Sequence, residues 1–164
     1  PTTIYNNNSS AFPREPVIIK VRHMNGLEAV VINIHLKCCS GSESRRKAAS
    51  ALLESYIATN HPNDAVIILG DWNDEIYEGG NNDVFDNFMA DATNYQFVDK
   101  SIAQGSSSEW SYPSYPSHID HILITNELFD NLISTKTLAI NKCLNTYYST
   151  VSDHRPVMMR LKED

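Results

Sequence analysis

Four short segments of the chain each place polar residues at one end of an apolar run. They are Val-Val-Ile-Asn-Ile-His (30–35), Val-Ile-Ile-Leu-Gly-Asp-Trp-Asn-Asp (66–74), Ser-His-Ile-Asp-His-Ile-Leu-Ile (117–124) and Val-Ser-Asp-His-Arg-Pro-Val (151–157). The polar residues follow the run in the first two segments and precede it in the last two. If the second pair of strands runs antiparallel to the first, all the polar ends lie on one rim. That rim would gather His35, Asp71, Asn73, Asp120, Asp153 and His154.

Two imidazoles, three carboxylates and an amide are the groups that metal-assisted phosphoester hydrolysis requires. Asp71 and Asn73 are two residues apart, so an extended chain puts them on one face, where they can hold a hydrated cation and a phosphoryl oxygen. An Asx-type turn that closes the strand is the structural alternative. His35 can donate to a phosphate oxygen or to a leaving group, and a hydrogen-bonded core histidine is the competing interpretation.

Asp120 stands inside an apolar run and therefore needs a partner, because a lone buried carboxylate is costly. A carboxylate that holds an imidazole in one tautomer is a familiar solution, and we predict His154 as that imidazole. Asp153 can ligate a metal while His154 faces phosphate, or the two can form an ordinary surface turn. His121 alternates onto the opposite face, which favours a packing role, and His118 is assigned to a loop.

Three further side chains are candidates for support of the rim or for substrate contact. Arg14, in Pro13-Arg14-Glu15-Pro16, can brace the rim through a carboxylate or can be a plain surface arginine. Trp110 and Tyr112 lie in a loop rich in Ser, Pro and aromatic residues, where they can stack on substrate or anchor the loop.

The composition bounds the class of protein. The chain has 164 residues, of which 41% are hydrophobic, so it suits one globular domain. Its formal net charge of −7 argues against a protein that coats DNA, but not against an enzyme that offsets substrate charge with a divalent ion. Because the chain begins at Pro1 without a leader, we expect a processed product, and the compartment stays open, with secretion one alternative.

The three cysteines are Cys38, Cys39 and Cys143, and none forms a Cys-x-x-Cys pair, so a structural zinc site is not expected. Cys38 and Cys39 can bond to each other only with strain. One of them can pair with Cys143 in an oxidising compartment, and free thiols are the alternative.

The pattern along the chain predicts an α+β protein with mainly antiparallel sheet. A capping box at Ser40 and Glu43 should start a helix that His61-Pro62 ends, with Arg45, Arg46 and Glu54 pointing outward. Asn25-Gly26 should make a hairpin turn. The predicted strands are 17–21, 29–35, 65–69, 119–125 and 157–161. Short helices are expected at 84–90 and 127–133, and loops at 1–11, 74–83 and 100–117.

Taken in order, the motifs resemble the endonuclease/exonuclease/phosphatase superfamily, whose members include deoxyribonucleases, inositol polyphosphate phosphatases and neutral sphingomyelinases. The resemblance runs through Arg14-Glu15-Pro16, Asn33-Ile34-His35-Leu36, Gly70-Asp71-Trp72-Asn73, Ile119-Asp120-His121-Ile122 and Ser152-Asp153-His154-Arg155-Pro156. It implies a four-layer αββα sandwich with the site at one rim. It also implies a hydrolase that uses Mg²⁺, or Mn²⁺ or Ca²⁺, on a phosphoester of nucleic acid, lipid or sugar.

The resemblance also implies a role for each matching residue. Asp71 orients or deprotonates the attacking water and shares in metal binding, and Asn73 contacts phosphate. Asp153 binds the metal ion. His154, paired with Asp120, binds the phosphoryl group and takes part in proton transfer. His35 is the candidate general acid or phosphate donor.

The match covers only the C-terminal part of the superfamily pattern. Members carry an early strand with an Asn and a second strand with a metal-binding Glu, both upstream of the Arg14 segment, and residues 1–11 contain no Glu. We therefore expect residues 1–164 to form a single domain of this type that lacks the N-terminal strands, and to leave apolar sheet exposed unless the missing part or another chain covers it. A non-catalytic binding module, or an inactive fragment of the enzyme, is the alternative to a hydrolase.

Overall fold

A six-stranded mixed sheet forms the centre of the protein. The computed structural model describes residues 1–24, 26–76 and 84–162. The strands of this sheet are β1 (Thr2–Thr3), β2 (Val17–Arg22), β3 (Glu28–His35), β4 (Val66–Asp71), β5 (Tyr95–Phe97) and β6 (Asp120–Thr125). They are arranged in the order β1-β2-β3-β4-β6-β5, and only β3 and β4 run parallel. A second sheet pairs β7 (Leu132–Thr137) antiparallel with β8 (Val157–Leu161).

The helices are few and mostly short. They are α1 (Glu43–Asn60), α2 (Asp86–Ala90), α3 (Lys100–Ala103) and α4 (Tyr147–Thr150), with 3₁₀ helices at Ser107–Glu109, Asn126–Asn131 and Ile140–Lys142. The long helix α1 is the crossover that the parallel pair β3–β4 needs. None of the helices in the described ranges has the length and apolar character needed to cross a bilayer.

Two apolar cores lie on opposite faces of the central sheet. One is packed beneath α1 and α2 and contains Ile32, Leu53, Ile68 and Trp72 among its buried members. The other lies between the central sheet and the β7–β8 sheet, and includes Ile67, Ile124 and Leu128 with Val157, Met159 and Leu161 against them. The α+β architecture with mainly antiparallel sheets is thus confirmed. The described residues supply three layers, in the order helix, sheet, sheet.

The strand β4 is buried on both faces, as its continuous apolar run predicts. Val66, Ile67 and Ile68 are all buried, and they divide between the two cores. The predicted hairpin between β2 and β3 is confirmed by their antiparallel register, which runs to Arg22 opposite Glu28. Its predicted turn residue Asn25 lies outside the described residues, and so does the 77–83 part of the predicted loop at 74–83.

Two predictions about the start of α1 are wrong. The helix begins at Glu43 with Ser42 as its N-cap, and the Glu43 carboxylate accepts from the backbone N–H of Gly41 instead of completing a box with Ser40. Arg46, which was expected to point outward, is only 3% exposed. It is buried because its guanidinium meets the Asp74 carboxylate at 2.7 Å, a partner that local sequence cannot show.

Other differences arise where short segments pack instead of remaining loops. The predicted helix at 127–133 is a 3₁₀ helix that ends at Asn131, and Leu132 begins β7, which pairs with β8. The predicted terminal loop contains β1, which pairs with β2, and Ala11 is buried. The predicted loop at 100–117 contains α3 and a 3₁₀ helix.

Candidate active site

Three of the predicted site residues form one row across neighbouring strands. His35 is the register partner of Asp71 in the parallel pair β3–β4. Asp71 is in turn the register partner of Asp120 in the antiparallel pair β4–β6. The polar ends therefore meet at one rim of the central sheet, because β6 runs against β3 and β4 as the sequence pattern requires.

Asp71 lies at the centre of this row and is largely enclosed. Its Oδ2 lies 3.3 Å from Nε2 of His35, and its Oδ1 accepts a 2.9 Å hydrogen bond from the backbone N–H of Asn73. Burial raises the pKa of the Asp71 carboxyl, and the nearby carboxylate of Asp120 raises it further. The Asn73 N–H and the two histidines partly offset this rise.

His154 is held against the row by three contacts. Its Nδ1 lies 2.7 Å from Oδ2 of Asp120, its ring stacks on Tyr112 with centroids 4.7 Å apart, and its carbonyl accepts from the Tyr147 hydroxyl. The hydrogen bond to Asp120 raises the pKa of His154, although partial burial opposes the charge. The predicted Asp120–His154 contact is thus present, and the ring has one defined orientation.

Asn73 takes a backbone conformation that few residues other than glycine adopt, with φ of +54°. Asn tolerates this region, and its side-chain Nδ2 donates to the carbonyl of Leu36 at 3.1 Å. Asp71 Oδ1 and the Asn73 N–H close an Asx turn, so the structural alternative is the one present, and the extended chain predicted through Asn73 is not. The contact with Leu36 ties this turn to the end of β3.

The remaining candidates are less central. Asp153 is exposed and stands beside His154, whose pKa its charge helps to raise. Arg14 is exposed. Trp110 is half-buried and donates to the Ile102 carbonyl at 3.1 Å, so it anchors its loop. Trp110 and Tyr112 also line a groove of about 850 Å³ whose walls include Asn73 and His154.

Ser111 was not singled out in the sequence, and it connects the two segments that carry Asp120 and His154. It is fully buried, and its Oγ accepts from the backbone N–H groups of Ile119 and Asp120 at 3.3 and 3.2 Å. Its carbonyl accepts from the Arg155 N–H at 2.7 Å. A serine in a polar loop carries no sequence signal for such a role.

A second cluster, Asp99 with His118 and His121, lies directly behind the rim. His118 lies in a loop, as predicted, and is nevertheless only 1% exposed. The packing role predicted for His121 agrees with its burial. Oδ2 of Asp99 faces Nε2 of His118 at 3.0 Å and Nδ1 of His121 at 2.6 Å. Asp99 carries no sequence signal of this role, because no motif surrounds it in the chain.

The partners of this cluster fix the protonation of both rings. Nδ1 of His118 accepts from the Ser111 N–H, so its proton is on Nε2 and points to Asp99. Nε2 of His121 faces the Asp74 carbonyl at 3.0 Å while its Nδ1 faces Asp99, so both nitrogens donate and the ring is an imidazolium.

The pKa directions agree with that assignment. Burial by itself would raise the pKa of Asp99, but the facing imidazoles hold it well below its usual range. Burial favours the neutral form of His121, but Asp99 and the Asp74 carbonyl raise its pKa. Because each nitrogen and carboxylate oxygen already has a hydrogen-bond partner, we read this cluster as a structural network that holds β6 to the 71–75 segment.

Among the described residues, the group that suits a metal ion at the rim is Asp71, Asp120 and His154. Each offers one ligand atom, and these atoms lie within 4.8 Å of one another. The two carboxylates supply the oxygen ligands that hard divalent cations prefer, and their mutual repulsion is what such a cation relieves.

The sequence of residues 5–154 matches the model of the endonuclease/exonuclease/phosphatase family. The chain belongs to the endonuclease/exonuclease/phosphatase family. A search of curated protein sequences gives no significant match.

Several solved structures share the fold of this chain at low sequence identity. The TDP2 of D. rerio, crystallised with a single-stranded DNA product, has a TM-score of 0.68 and 14% identity, covering 90% of this chain and 61% of that one. The 3′ phosphatase NExo from Neisseria, bound to a product DNA hairpin, has a TM-score of 0.64 and 16% identity. The match covers 92% of this chain and 66% of that one. The mannosyl-6-phosphatase Bt3783 of Bacteroides thetaiotaomicron has a TM-score of 0.59 and 16% identity. The match covers 84% of this chain and 52% of that one. The chain therefore spans between one half and two thirds of the length of these proteins.

Proposed function

We propose that the protein is a metal-dependent phosphoester hydrolase that uses an activated water molecule. The observation that carries the proposal is the row of His35, Asp71 and Asp120 across β3, β4 and β6, with His154 bonded to Asp120. These are a partly shielded carboxylate, a carboxylate–imidazole pair and a further imidazole on one wall. Membership of the family supports the same reaction class.

In this proposal Asp71 is the residue that orients and deprotonates water. Its raised pKa makes it a better proton acceptor than an exposed aspartate, and Asn73 fixes one of its oxygens. The amide of Asn73 contacts the phosphate. His154, oriented by Asp120, donates to a phosphoryl oxygen and exchanges a proton there. His35 donates to the phosphate or to the leaving oxygen.

The proposed metal is Mg²⁺, with Mn²⁺ or Ca²⁺ as substitutes, and its protein ligands are the carboxylates of Asp71 and Asp153. A divalent cation supplies charge stabilisation at the phosphoryl oxygens. A cation beside Asp71 is favoured because the charge of the Asp120 carboxylate acts on Asp71, and ligand atoms of Asp71, Asp120 and His154 lie within 4.8 Å of one another. Asp153 adds a third carboxylate next to His154.

We further propose that the metal site of the whole domain includes a glutamate on a strand outside residues 1–164. Support comes from the length of TDP2, of which the chain covers 61%, and from β2, where Val17, Ile19 and Val21 are 37–40% exposed along one face. Such a row suits cover by further sheet, from the same protein or from another chain. Residues 1–164 alone then bind Mg²⁺ weakly and turn over slowly.

The test compares residues 1–164 with an N-terminally extended form taken from the coding sequence. Bis-p-nitrophenyl phosphate and p-nitrophenyl phosphate serve as diester and monoester probes, each assayed with Mg²⁺ or with EDTA. We expect metal-dependent hydrolysis in the extended form, with weaker Mg²⁺ affinity and lower turnover in residues 1–164. Equal affinity and turnover would contradict the missing-ligand proposal.

The binding module that kept the fold without the chemistry is the other candidate. Hydrolysis by neither form, with Mg²⁺, Mn²⁺ or Ca²⁺, would favour it over the hydrolase. The structural neighbours act on DNA and on a sugar phosphate, so the substrate class is a separate question. A panel of oligonucleotides, sugar phosphates and phospholipids, assayed with the extended form, identifies which class of phosphoester is the substrate.

A further inference from the structure

Two adjacent thiols lie at the protein surface, three and four residues after the end of β3. Cys38 is half-buried and Cys39 is exposed. Their Sγ atoms are 2.7 Å apart, with the Cys39 thiol donating to Cys38. Cys39 has a φ of +77°, in the left-handed region that a residue with a side chain seldom adopts. The backbone at this point therefore turns in a way that brings two neighbouring thiols together.

The segment that carries the thiols is clamped from the protein side by Arg46. Its Nη1 donates to the carbonyls of Lys37 at 2.9 Å and of Cys39 at 3.1 Å. Its Nε donates to Asp74 at 2.7 Å, so the buried guanidinium is neutralised and fixed. The carbonyls on both sides of Cys38 are thus held in place, which limits the freedom of the backbone between the two cysteines.

The charges around the pair favour a thiolate at Cys38. The hydrogen bond from Cys39 lowers the pKa of the Cys38 thiol, and the positive charges of Lys37 and Arg14 lower it further. The same hydrogen bond raises the pKa of Cys39. One thiolate beside one protonated thiol is the arrangement in which the first sulfur attacks an oxidant and the second resolves the product.

We propose that Cys38 and Cys39 form a thiol-modification site that hydroperoxides oxidise to a vicinal disulfide. The Cys38 thiolate attacks one oxygen of the hydroperoxide, the O–O bond breaks, and Cys38 becomes a sulfenic acid as the alkoxide or hydroxide takes up a proton. The Cys39 sulfur then attacks the sulfenic sulfur and water leaves with the Cys39 proton. Two thiols lose two hydrogen atoms, and one hydroperoxide becomes an alcohol, or water, plus water.

The product is expected to be readily reduced. Adjacent residues in a trans peptide have Cα atoms about 3.8 Å apart, whereas unstrained disulfides span about 4.4–6.8 Å. A bond outside that range is strained and reacts readily with other thiols, which is typical of regulatory disulfides. The site therefore cycles with the redox state of its surroundings instead of serving as a permanent cross-link.

The position of the pair gives the modification a consequence for the groove. Both cysteines line the groove that Asn73, Tyr112 and His154 also line. The neighbouring carbonyl of Leu36 accepts from the Asn73 side chain. Closing a disulfide ring at 38–39 changes this wall directly.

The experiment treats the reduced chain with equimolar hydrogen peroxide and follows the thiols by mass spectrometry. Trypsin cleaves after Lys37 and Arg45, so both cysteines fall in the peptide 38–45. We expect this peptide to lose the mass of two hydrogen atoms on oxidation and to regain it with a mild excess of dithiothreitol. Cys143 should remain a free thiol throughout. Cys143, which is also exposed, is the internal control.

Matched variants separate the pair from a single reactive thiol. Cys39→Ser should stop the reaction at sulfenic or sulfinic acid on Cys38, and Cys143→Ser should behave as the parent protein does. Phenylarsine oxide, a reagent that binds thiol pairs, should protect the parent protein and Cys143→Ser from oxidation by peroxide. It should protect neither Cys38→Ser nor Cys39→Ser. The proposal is overturned if Cys143 oxidises as fast as the pair, if peptide 38–45 becomes bridged to Cys143 or to a second chain, or if Cys39→Ser still loses two hydrogen atoms.

Discussion

Asp120 and His154 are 34 residues apart in the chain, yet Nδ1 of His154 lies 2.7 Å from Oδ2 of Asp120. The contact joins the first residue of β6 to the segment that leads into β8, and so couples the two sheets at the rim. Because a carboxylate accepts and does not donate, it fixes a proton on Nδ1 and leaves Nε2 as the atom that can exchange a proton with substrate.

Asp120→Asn tests the role of this carboxylate. The amide of asparagine can donate to Nδ1 and so favour the wrong tautomer of His154. Because the amide is uncharged, it also does not stabilise the imidazolium form of the ring. We expect kcat of the extended form to fall by about 10²–10⁴ with little change in thermal stability. The measurement is hydrolysis of bis-p-nitrophenyl phosphate beside a thermal melt. The control is Asp130→Asn at an exposed position on the 3₁₀ helix, which should leave both unchanged.

Asp71→Asn should separate activity from stability. The folded state raises the pKa of Asp71, so the ionised carboxylate opposes folding near neutral pH, and an amide removes that penalty. We expect turnover to fall by orders of magnitude, as for His154→Ala, while the melting temperature stays equal or rises. A clear loss of stability in Asp71→Asn, measured by the same melt, would show that the carboxylate serves the fold instead.

The sequence predicted the parts of the molecule that depend on short-range pattern. Alternation and apolar runs placed β2, β3, β4, β6 and β8 to within one or two residues. The rim followed from which end of each strand was polar, and the Asp120–His154 contact from the cost of an unpaired carboxylate in an apolar strand. The family resemblance added the roles that geometry alone could not divide between Asp71 and Asp153, and those roles are still predictions.

What the sequence could not predict depends on partners that are distant in the chain. Arg46 was expected to point outward together with Arg45, and its burial is favourable because its guanidinium pairs with Asp74. The role of Asp99 cannot be predicted from nearby residues, because its partners His118 and His121 lie 19 and 22 residues away in the chain. The split of 127–133 into a 3₁₀ helix and a strand depends on β8, which is the last strand in the chain.

Gly70→Ala should be among the most destabilising single changes on the rim. Gly70 has a φ of +135°, and a Cβ there would collide with the backbone carbonyl of Ile34 on the parallel strand β3. The matched control is Gly26→Ala, where φ is +116° but open space surrounds the added carbon. We expect the control to lose about 1 kcal/mol from backbone strain. Gly70→Ala should lose about 1–3 kcal/mol more, because the strands must separate. If urea unfolding shows that Gly70→Ala and Gly26→Ala lose the same free energy of unfolding, then β3 and β4 leave room for a Cβ at position 70.

Asp99→Asn should reveal the buried network through the pH dependence of stability. Removing one partner leaves the His121 imidazolium uncompensated, which costs about 3–5 kcal/mol for a buried pair. The folded pKa of Asp99 is depressed, so its contribution is present above the ordinary carboxyl pKa and is lost as pH falls through the folded value. The folded pKa of His121 is raised, so its contribution is complete below the ordinary imidazole pKa and is lost as pH rises through the folded value.

These two signs define a window for that measurement. The difference in unfolding free energy between the parent protein and Asp99→Asn should be greatest between about pH 4 and pH 6.5, the ordinary pKa values of the two groups, and should shrink on either side. Urea unfolding at a series of pH values gives this difference directly, with Asp130→Asn as the control that should show no such maximum. A difference that stays constant above about pH 6.5 would mean that His121 is neutral, in which case the Asp74 carbonyl and Asp99 cannot both accept a proton from its ring.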